Sequence, residues 1–422
     1  MVSTWYAEVS PPQPGADPPL TGAATADLCV IGGGLLGVST ALHAAEAGLD
    51  VLLLEAEHVG AGASGRAGGL VLPGYTASQA TLARLVGPAE ADWFWEQSVA
   101  AVALVRSRVQ RHAIACDCRE GTIVAALKPS HLADLEAEAR ALHQRFGTPF
   151  ELLDATAIRH HVASERYCGG VRDPLGAHVN PLALTQGLAD VARAAGARLH
   201  GQSRVTGVDW DAGRVTTAAG SVLARTVVLA TNAAAEDLAP ELADWLLPAT
   251  TYMSATQPLG ADTAATLLPT DQGVADSAFV MDYFRRSSDH RLLFGGGVSY
   301  FAREPASIAR RMKAHLVRVF PTLADIAIDI AWSGRLDVTL NRMVLARRLG
   351  THGLTMLGFS GHGLALTVAM GAVLAEAAAG QPDRFTRIAA VPHRRFPGGR
   401  WLRAPGTALG VTAMRLWDQL SR

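Results

Sequence analysis

The stretch that decides the fold is Asp27-Leu28-Cys29-Val30-Ile31, followed by Gly32-Gly33-Gly34-Leu35-Leu36-Gly37, an alanine-rich segment to Ala47, a break at Gly48, and Asp50-Val51-Leu52-Leu53-Leu54-Glu55. Two short apolar runs flanking a glycine turn and a helical segment read as strand, turn, helix, strand and acid. The first glycine lets the strand turn tightly, the second lets backbone approach a pyrophosphate, and the third lets the helix pack close to the strand. The helix N-terminus then faces the anionic phosphates. Glu55, about twenty residues on, stands where a carboxylate accepts hydrogen bonds from ribose hydroxyls. NAD and FAD share this fingerprint, so the segment predicts a dinucleotide without choosing one. In a chain with 42 glycines a glycine triad alone is weak, and the surrounding strand, helix and acid carry the reading.

Outward from that unit, helical patterns at Val99 to His112 and His131 to Phe146 bracket a strand-like Gly121 to Leu127, as if material were inserted into the first sheet. Leu182 to Ala195 reads as a helix ended by Gly196, followed by strands at Ala197 to His200, Ser203 to Val208 and Arg225 to Ala230, a return to the cofactor sheet. Residues 245–330 carry mixed strand patterns and a helical Ile308 to Phe320. After Thr355 to Phe359, the turn Gly361-His362-Gly363 opens a small-residue helix from Leu364 to Ala379, a third return. No repeat of fixed period occurs.

Composition narrows the class. With 422 residues, 49% of them hydrophobic, the chain is long enough for two interleaved domains whose core needs no disulfide or metal. Its 37 basic and 38 acidic side chains nearly cancel, which removes any general attraction to nucleic acid. The four cysteines fit a reducing compartment, so the cytoplasm is expected, and Cys116 and Cys118 lack a second pair at zinc spacing, so no metal is expected. Met1 to Thr25 contains five prolines and no cationic start leading into an apolar stretch, and reads as an arm rather than a signal. No run of about eighteen apolar residues offers a membrane span. Val411, Met414, Trp417 and Leu420 recur at three-residue intervals near Arg403 and Arg415; docking on the protein body is expected, ahead of membrane contact.

The segment Gly60-Ala61-Gly62-Ala63-Ser64-Gly65-Arg66-Ala67-Gly68-Gly69 resembles, in all but one position, a stretch of the D-amino-acid oxidase superfamily of flavoenzymes. The resemblance covers nearly the whole chain and is strongest to the gamma-glutamylputrescine and gamma-glutamylpolyamine oxidases. It is carried by Glu151 to Ala155, Val162 to Tyr167, Gly176 to Pro181, Met281 to Arg285, Arg291 to Val298, Trp332 to Gly334, Gly358 to Gly363 and Phe396 to Arg400. It implies an α/β protein in which a Rossmann-like FAD-binding domain, of the glutathione-reductase-like type, is interleaved with an α+β substrate domain on a mixed or antiparallel sheet. The expected FAD-binding segments are 27–98, 151–235 and 331–385, the substrate segments 99–150 and 236–330, with an arm at 1–26 and a tail with a short helix at 386–422. The implied activity is oxidation of an amine carbon to an imine by FAD, hydrolysis to an aldehyde, and reoxidation by oxygen with formation of hydrogen peroxide. An amino-acid or N-methylamine dehydrogenase serving a quinone or carrier, and a flavin-binding protein without turnover, are the alternatives.

The resemblance also names residues. FAD contacts are expected from Gly32, Gly34, Leu36, Gly37, Glu55, Ala63, Ser64, Arg66, Ala67, Gly68, Gly69, Val205, Thr231, Gly334, Gly358, Gly361, His362, Gly363 and Thr367. At Gly361-His362-Gly363, unpaired N–H groups of a helix start can face the flavin edge where negative charge gathers on reduction, with His362 as a further donor or as a packed, capping histidine. Arg66 is either a flavin contact or a surface ion-pair partner. His362, Tyr283 and Arg66 are the candidate catalytic residues, although the chemistry asks for orientation of the amine more than for acid or base catalysis. Tyr252, Tyr283 and Leu70 are expected to line the amine site, and Arg285 or Arg342 to hold a substrate carboxylate. Ala67 stands for the usual asparagine, Leu70 for a common glutamine, Asn180 for a second histidine after His178, and Val344 for a proline. No cysteine follows Cys168, so the FAD is expected to be non-covalent.

Overall fold

A computed structural model describes every residue except 1, 2, 12–14, 16, 301–306, 400, 401 and 409–422. The expected helix carrying Val411 to Leu420 therefore lies outside the described residues. The apolar runs Gly22–Ile31 and Val51–Leu54 pair in parallel, joined by the helix Leu35–Glu46 in a strand–helix–strand unit. Gly220–Leu229 pairs in parallel on the other side of Gly22–Ile31, Gly353–Leu357 follows in parallel, and Leu345–Leu349 closes that edge antiparallel. Arg198–His200 extends the opposite edge, beyond Val51–Leu54. These central strands are near-continuous apolar because both faces are covered. Helices Leu35–Glu46, Pro88–Arg111, Pro181–Ala194 and Gly363–Ala378 cover one face, and the hairpin Val205–Asp209 with Arg214–Thr217 helps cover the other.

The second sheet runs Ile328–Val338, Leu247–Thr256, Leu292–Ser299, Tyr283–Arg286, Gly273–Asp276, Arg119–Ala126, Gly169–His178 and Leu70–Val71, with Glu151–Leu153 beside Gly169–His178. It is antiparallel except where Gly273–Asp276 meets Arg119–Ala126. One face packs on the helix Ile308–Val319 through Phe284, Phe294, Leu316 and Phe320. The other turns toward the first sheet and carries Met253, Leu293 and Trp332.

The interleaved α/β architecture is the one expected, but the two sheets divide the chain differently at several places. Leu70–Val71, Glu151–Leu153, Gly169–His178 and the 331–338 part of Ile328–Val338 pair in the second sheet, although they fall in segments expected to bind FAD. Conversely, Val102 and Val105 pack in the first core although 99–150 was assigned to the substrate side. A strand pattern shows that a segment is extended and says nothing about which distant strand it joins. The expected arm is also partly built in: Trp5–Val9 is a helix capped by Thr4, and Trp5 and Tyr6 are buried. Among the described residues no single helix is long and apolar enough to cross a membrane. The four cysteines are free thiols.

Candidate active site

Parallel strands leave their C-terminal ends on one edge of a sheet, and ligands of such folds bind there. Ile31, Leu54, Leu229 and Leu357 end four neighbouring parallel strands, so the turns after them, at Gly32, Glu55, Thr231 and Gly358, share that edge. Gly32 adopts φ +111°, and a Cβ there would lie 2.6 Å from the Ala230 carbonyl oxygen. At Gly37 a Cβ would lie 1.9 Å from the Gly32 oxygen, the close helix–strand approach that the third glycine of the fingerprint allows. Glu55 accepts from the Gly33 N–H at 2.6 Å, and Ser64 accepts from the Leu35 N–H at 2.8 Å. Among the described residues the N–H groups of Gly34, Leu36 and Gly37 have no acceptor, and the Thr231 hydroxyl is buried without a partner beside Gly32. Val205 begins its strand half-buried, paired with Thr217. Ala63 lies in the short turn of 3-10 helix Ala63–Gly65.

The second cluster opens the helix Gly363–Ala378. Gly358, Ser360 and Gly361 all have positive φ, at +75°, +54° and +89°. A Cβ on Gly358 would lie 2.4 Å from Thr339. The N–H groups of Gly361, Gly363, Leu364 and Ala365 have no acceptor among the described residues, as a helix start requires unless something caps it. Of the two roles expected for His362, further donor or packed histidine, the geometry suits the second. Burial lowers its pKa, leaving it neutral, and its Nε2–H donates to the Pro73 carbonyl at 3.0 Å. The imidazole therefore ties the 72–73 segment to the helix start, and the backbone N–H groups are what face outward. Thr367, one turn along, donates to Leu364.

Between these clusters and the second sheet lies the turn Arg66 to Leu70. Arg66 donates to the carbonyls of Ala61 and Ser333, joining the two sheets rather than lying on the surface, and Gly334 packs against its Cβ. Tyr283 lies against the turn so closely that a Cβ on Gly68 would be 2.5 Å from its ring. Burial pushes the Tyr283 phenol up to about 12, against the pull of the Thr251 hydroxyl, so it remains protonated. Leu70 points at Gly273.

The geometry separates the two tyrosines expected to line one site and ties the first candidate arginine into the scaffold. Tyr252 and Tyr283 are on opposite faces of the second sheet: Met253 shares the Tyr283 side at Gly295, and its neighbour Tyr252 turns the other way, under the Arg311 guanidinium at 5.0 Å. Arg285 is 1% exposed, donates Nε to the Gly68 carbonyl and Nη1 to the Arg286 carbonyl, and keeps a buried Nη2 without a partner among the described residues, so most of its guanidinium serves the scaffold. Arg342 stays half-exposed in the turn between Thr339 and Met343, beside Gly358. Asn180 caps the helix Pro181–Ala194 through Leu182 and Ala183. Sequence reasoning missed Tyr6, from the N-terminal arm, gave Trp332 only within a resembling segment and with no role, and did not single out Asp337; the aromatic pair Trp5-Tyr6 ahead of the prolines was the signal for the first.

The family model for FAD-dependent oxidoreductases of the DAO type matches residues 27–377. The chain belongs to that family. It is 41% identical to gamma-glutamylputrescine oxidoreductase of Escherichia coli (strain K12) over 399 residues, which covers 94% of this chain and 93% of the relative. Among solved structures it resembles glycine oxidase from Geobacillus kaustophilus, with TM-score 0.71 and 21% identity over 85% of this chain and 95% of the other. It also resembles L-proline dehydrogenase from P. horikoshii, with TM-score 0.69 and 20% identity over 87% and 99%. These two likenesses show the fold.

FAD is the family's cofactor, and the residues present suit it. An anionic pyrophosphate matches the free N–H groups at Gly34, Leu36 and Gly37, and a ribose matches Glu55. The ring system would lie toward the Ala67–Gly69 turn and the start of the Gly363–Ala378 helix, where further N–H groups lack acceptors. Bound there, FAD supplies the two-electron acceptor for an oxidation. Among the described residues no group of His, Cys, Asp or Glu is arranged to hold a metal ion.

Proposed function

We propose that this oxidoreductase is an amine oxidase acting on an aliphatic amine that carries a gamma-glutamyl or other acyl group. A carbon–nitrogen single bond loses two electrons and two protons to become an imine. Water then releases an aldehyde and either ammonia or an amine, and molecular oxygen takes the electrons as hydrogen peroxide. The observation that carries the reading is the 41% identity, over almost the whole of both chains, to an enzyme named for gamma-glutamylputrescine.

The residues support it in character. Tyr283 and Leu70 give an aromatic and an aliphatic wall beside the 67–70 turn, and among the described residues no acid–base pair is assembled there, in keeping with chemistry that needs an oriented, uncharged amine. Arg342, the more exposed of the two candidate arginines, is the better placed to meet a substrate carboxylate. Free thiols at all four cysteines are in keeping with a cytoplasmic enzyme.

An oxygen electrode and a peroxide assay, run over free, acetylated and gamma-glutamylated diamines, test the proposal. Oxygen uptake matched by peroxide, fastest with gamma-glutamylputrescine, is the expected result. Substrate-dependent flavin reduction with little oxygen uptake would assign the electrons to a quinone or carrier instead.

A further inference from the structure

Four consecutive carbonyls of the Arg66–Gly69 turn each accept a hydrogen bond from a different part of the chain. Trp332 Nε1 donates to Arg66 at 3.0 Å, the Tyr6 hydroxyl to Ala67 at 2.9 Å, Arg285 Nε to Gly68 at 3.1 Å, and the Val179 N–H to Gly69 at 2.9 Å. The three side chains also hold one another. Tyr6 meets Trp332 edge-on with ring centroids 5.5 Å apart, and the Arg285 guanidinium lies 5.7 Å above the Tyr6 ring. All three are essentially inaccessible to water. The opposite polarity is left open: among the described residues the N–H groups of Ala67, Gly68 and Gly69 have no acceptor, and Ala67 is exposed.

We propose that Tyr6, on the N-terminal helix, is a positioning residue for the flavin: with Trp332 and Arg285 it fixes the turn's carbonyls inward, leaving the N–H groups of Ala67–Gly69 for the cofactor ring. The inference rests on the reading that the ring passes in front of this turn. Preorganised donors aimed where charge develops stabilise it without reorganisation, so the bracing acts on flavin affinity and potential. Burial keeps the Tyr6 phenol protonated and hence a donor.

The test uses the full-length holoenzyme. Tyr6→Phe removes one hydroxyl and keeps both ring contacts; it is expected to weaken FAD binding about three- to tenfold and to lower the flavin midpoint potential. Trp332→Phe is expected to act in the same direction, and it decides the matter if the Tyr6 variant does not fold. Trp5→Phe, on the same helix, is the control: it removes the bond from Trp5 Nε1 to Asp289 in the turn before Leu292–Ser299, keeps an aromatic ring beside Tyr6, and touches none of the four carbonyls. It is expected to lower thermal stability while leaving FAD affinity and potential unchanged. Equal losses of FAD affinity in the Tyr6 and Trp5 variants would make the helix a mere anchor and overturn the proposal. An unaltered Tyr6 variant would overturn it too, and Ala67→Asn then shows where it failed. A shifted flavin absorption envelope in that variant leaves the ring at the turn and discards the bracing, whereas an unshifted one discards the placement of the ring.

Discussion

Asp337, next to last in the longest strand of the second sheet, is 1% exposed, with neither carboxylate oxygen in a hydrogen bond among the described residues. The N–H groups of Gly358 and Phe359 lie near enough to favour its charge, but burial outweighs them and pushes the carboxyl up to about 6. A carboxyl whose pKa is raised on folding binds protons more tightly in the native state, so stability falls as pH rises from about 4 to about 6 and stays reduced above that. A shift of this size corresponds to ~3 kcal/mol at neutral pH. Asp337→Asn should therefore raise the melting temperature at pH 8 and lose that advantage near pH 4, as followed by thermal scans at both. Glu55 shows the opposite case, a carboxylate with partners. Its replacement by alanine leaves the Gly33 N–H without its 2.6 Å acceptor and should weaken FAD binding roughly ten- to a hundredfold in a dialysis measurement, the worth of a charge-assisted bond. Glu55 and the glycines before it were legible because their roles follow from spacing along one segment. Arg285 and Tyr252 were not, since what they touch comes from Gly68, 217 residues away, and from the Arg311 helix.

At the scale of elements, the two helices that open on the site cross where a Cβ on Gly371 would lie 2.5 Å from Ser39, and where the Ser39 hydroxyl donates to Val368 at 2.6 Å. The crossing is about one turn from the N-terminus of the first helix and about two turns from that of the second, so it sets the relative position of the phosphate-side and ring-side N–H groups. Gly371→Val should cost ~1–3 kcal/mol through overpacking. It should also loosen FAD, which calorimetry and flavin release on dilution would show together. Both helices were readable from their glycine starts and small-residue pattern. The sheet joined by Gly169–His178 was not, because its alternation suits either sheet and its partner Arg119–Ala126 lies some fifty residues earlier.

For the whole molecule, Arg66 joins the sheets through Ala61 and Ser333, and Trp332 returns a bond to the Arg66 carbonyl. A cofactor lying across that junction binds only the folded, docked arrangement. Added FAD should accordingly raise the melting temperature of flavin-depleted protein in a concentration-dependent way, by ~2.7 kcal/mol of apparent stability at a hundred times its dissociation constant. A rise confined to high FAD concentration and abolished equally by any anion would instead point to general anion binding. The interleaved order of the chain was legible because the cofactor pattern returns after each insertion; the docking of the lobes depends on contacts that no local pattern contains.

FAD held at this edge is proposed to oxidise an amine. Anaerobic titration of the purified flavoprotein with gamma-glutamylputrescine tests it most directly, followed by the absorbance at the flavin maximum. Bleaching with one equivalent of substrate per flavin and recovery on admitting air is the expected result. A chain that retains no FAD, or whose flavin stays oxidised across free and acylated amines alike, would contradict it.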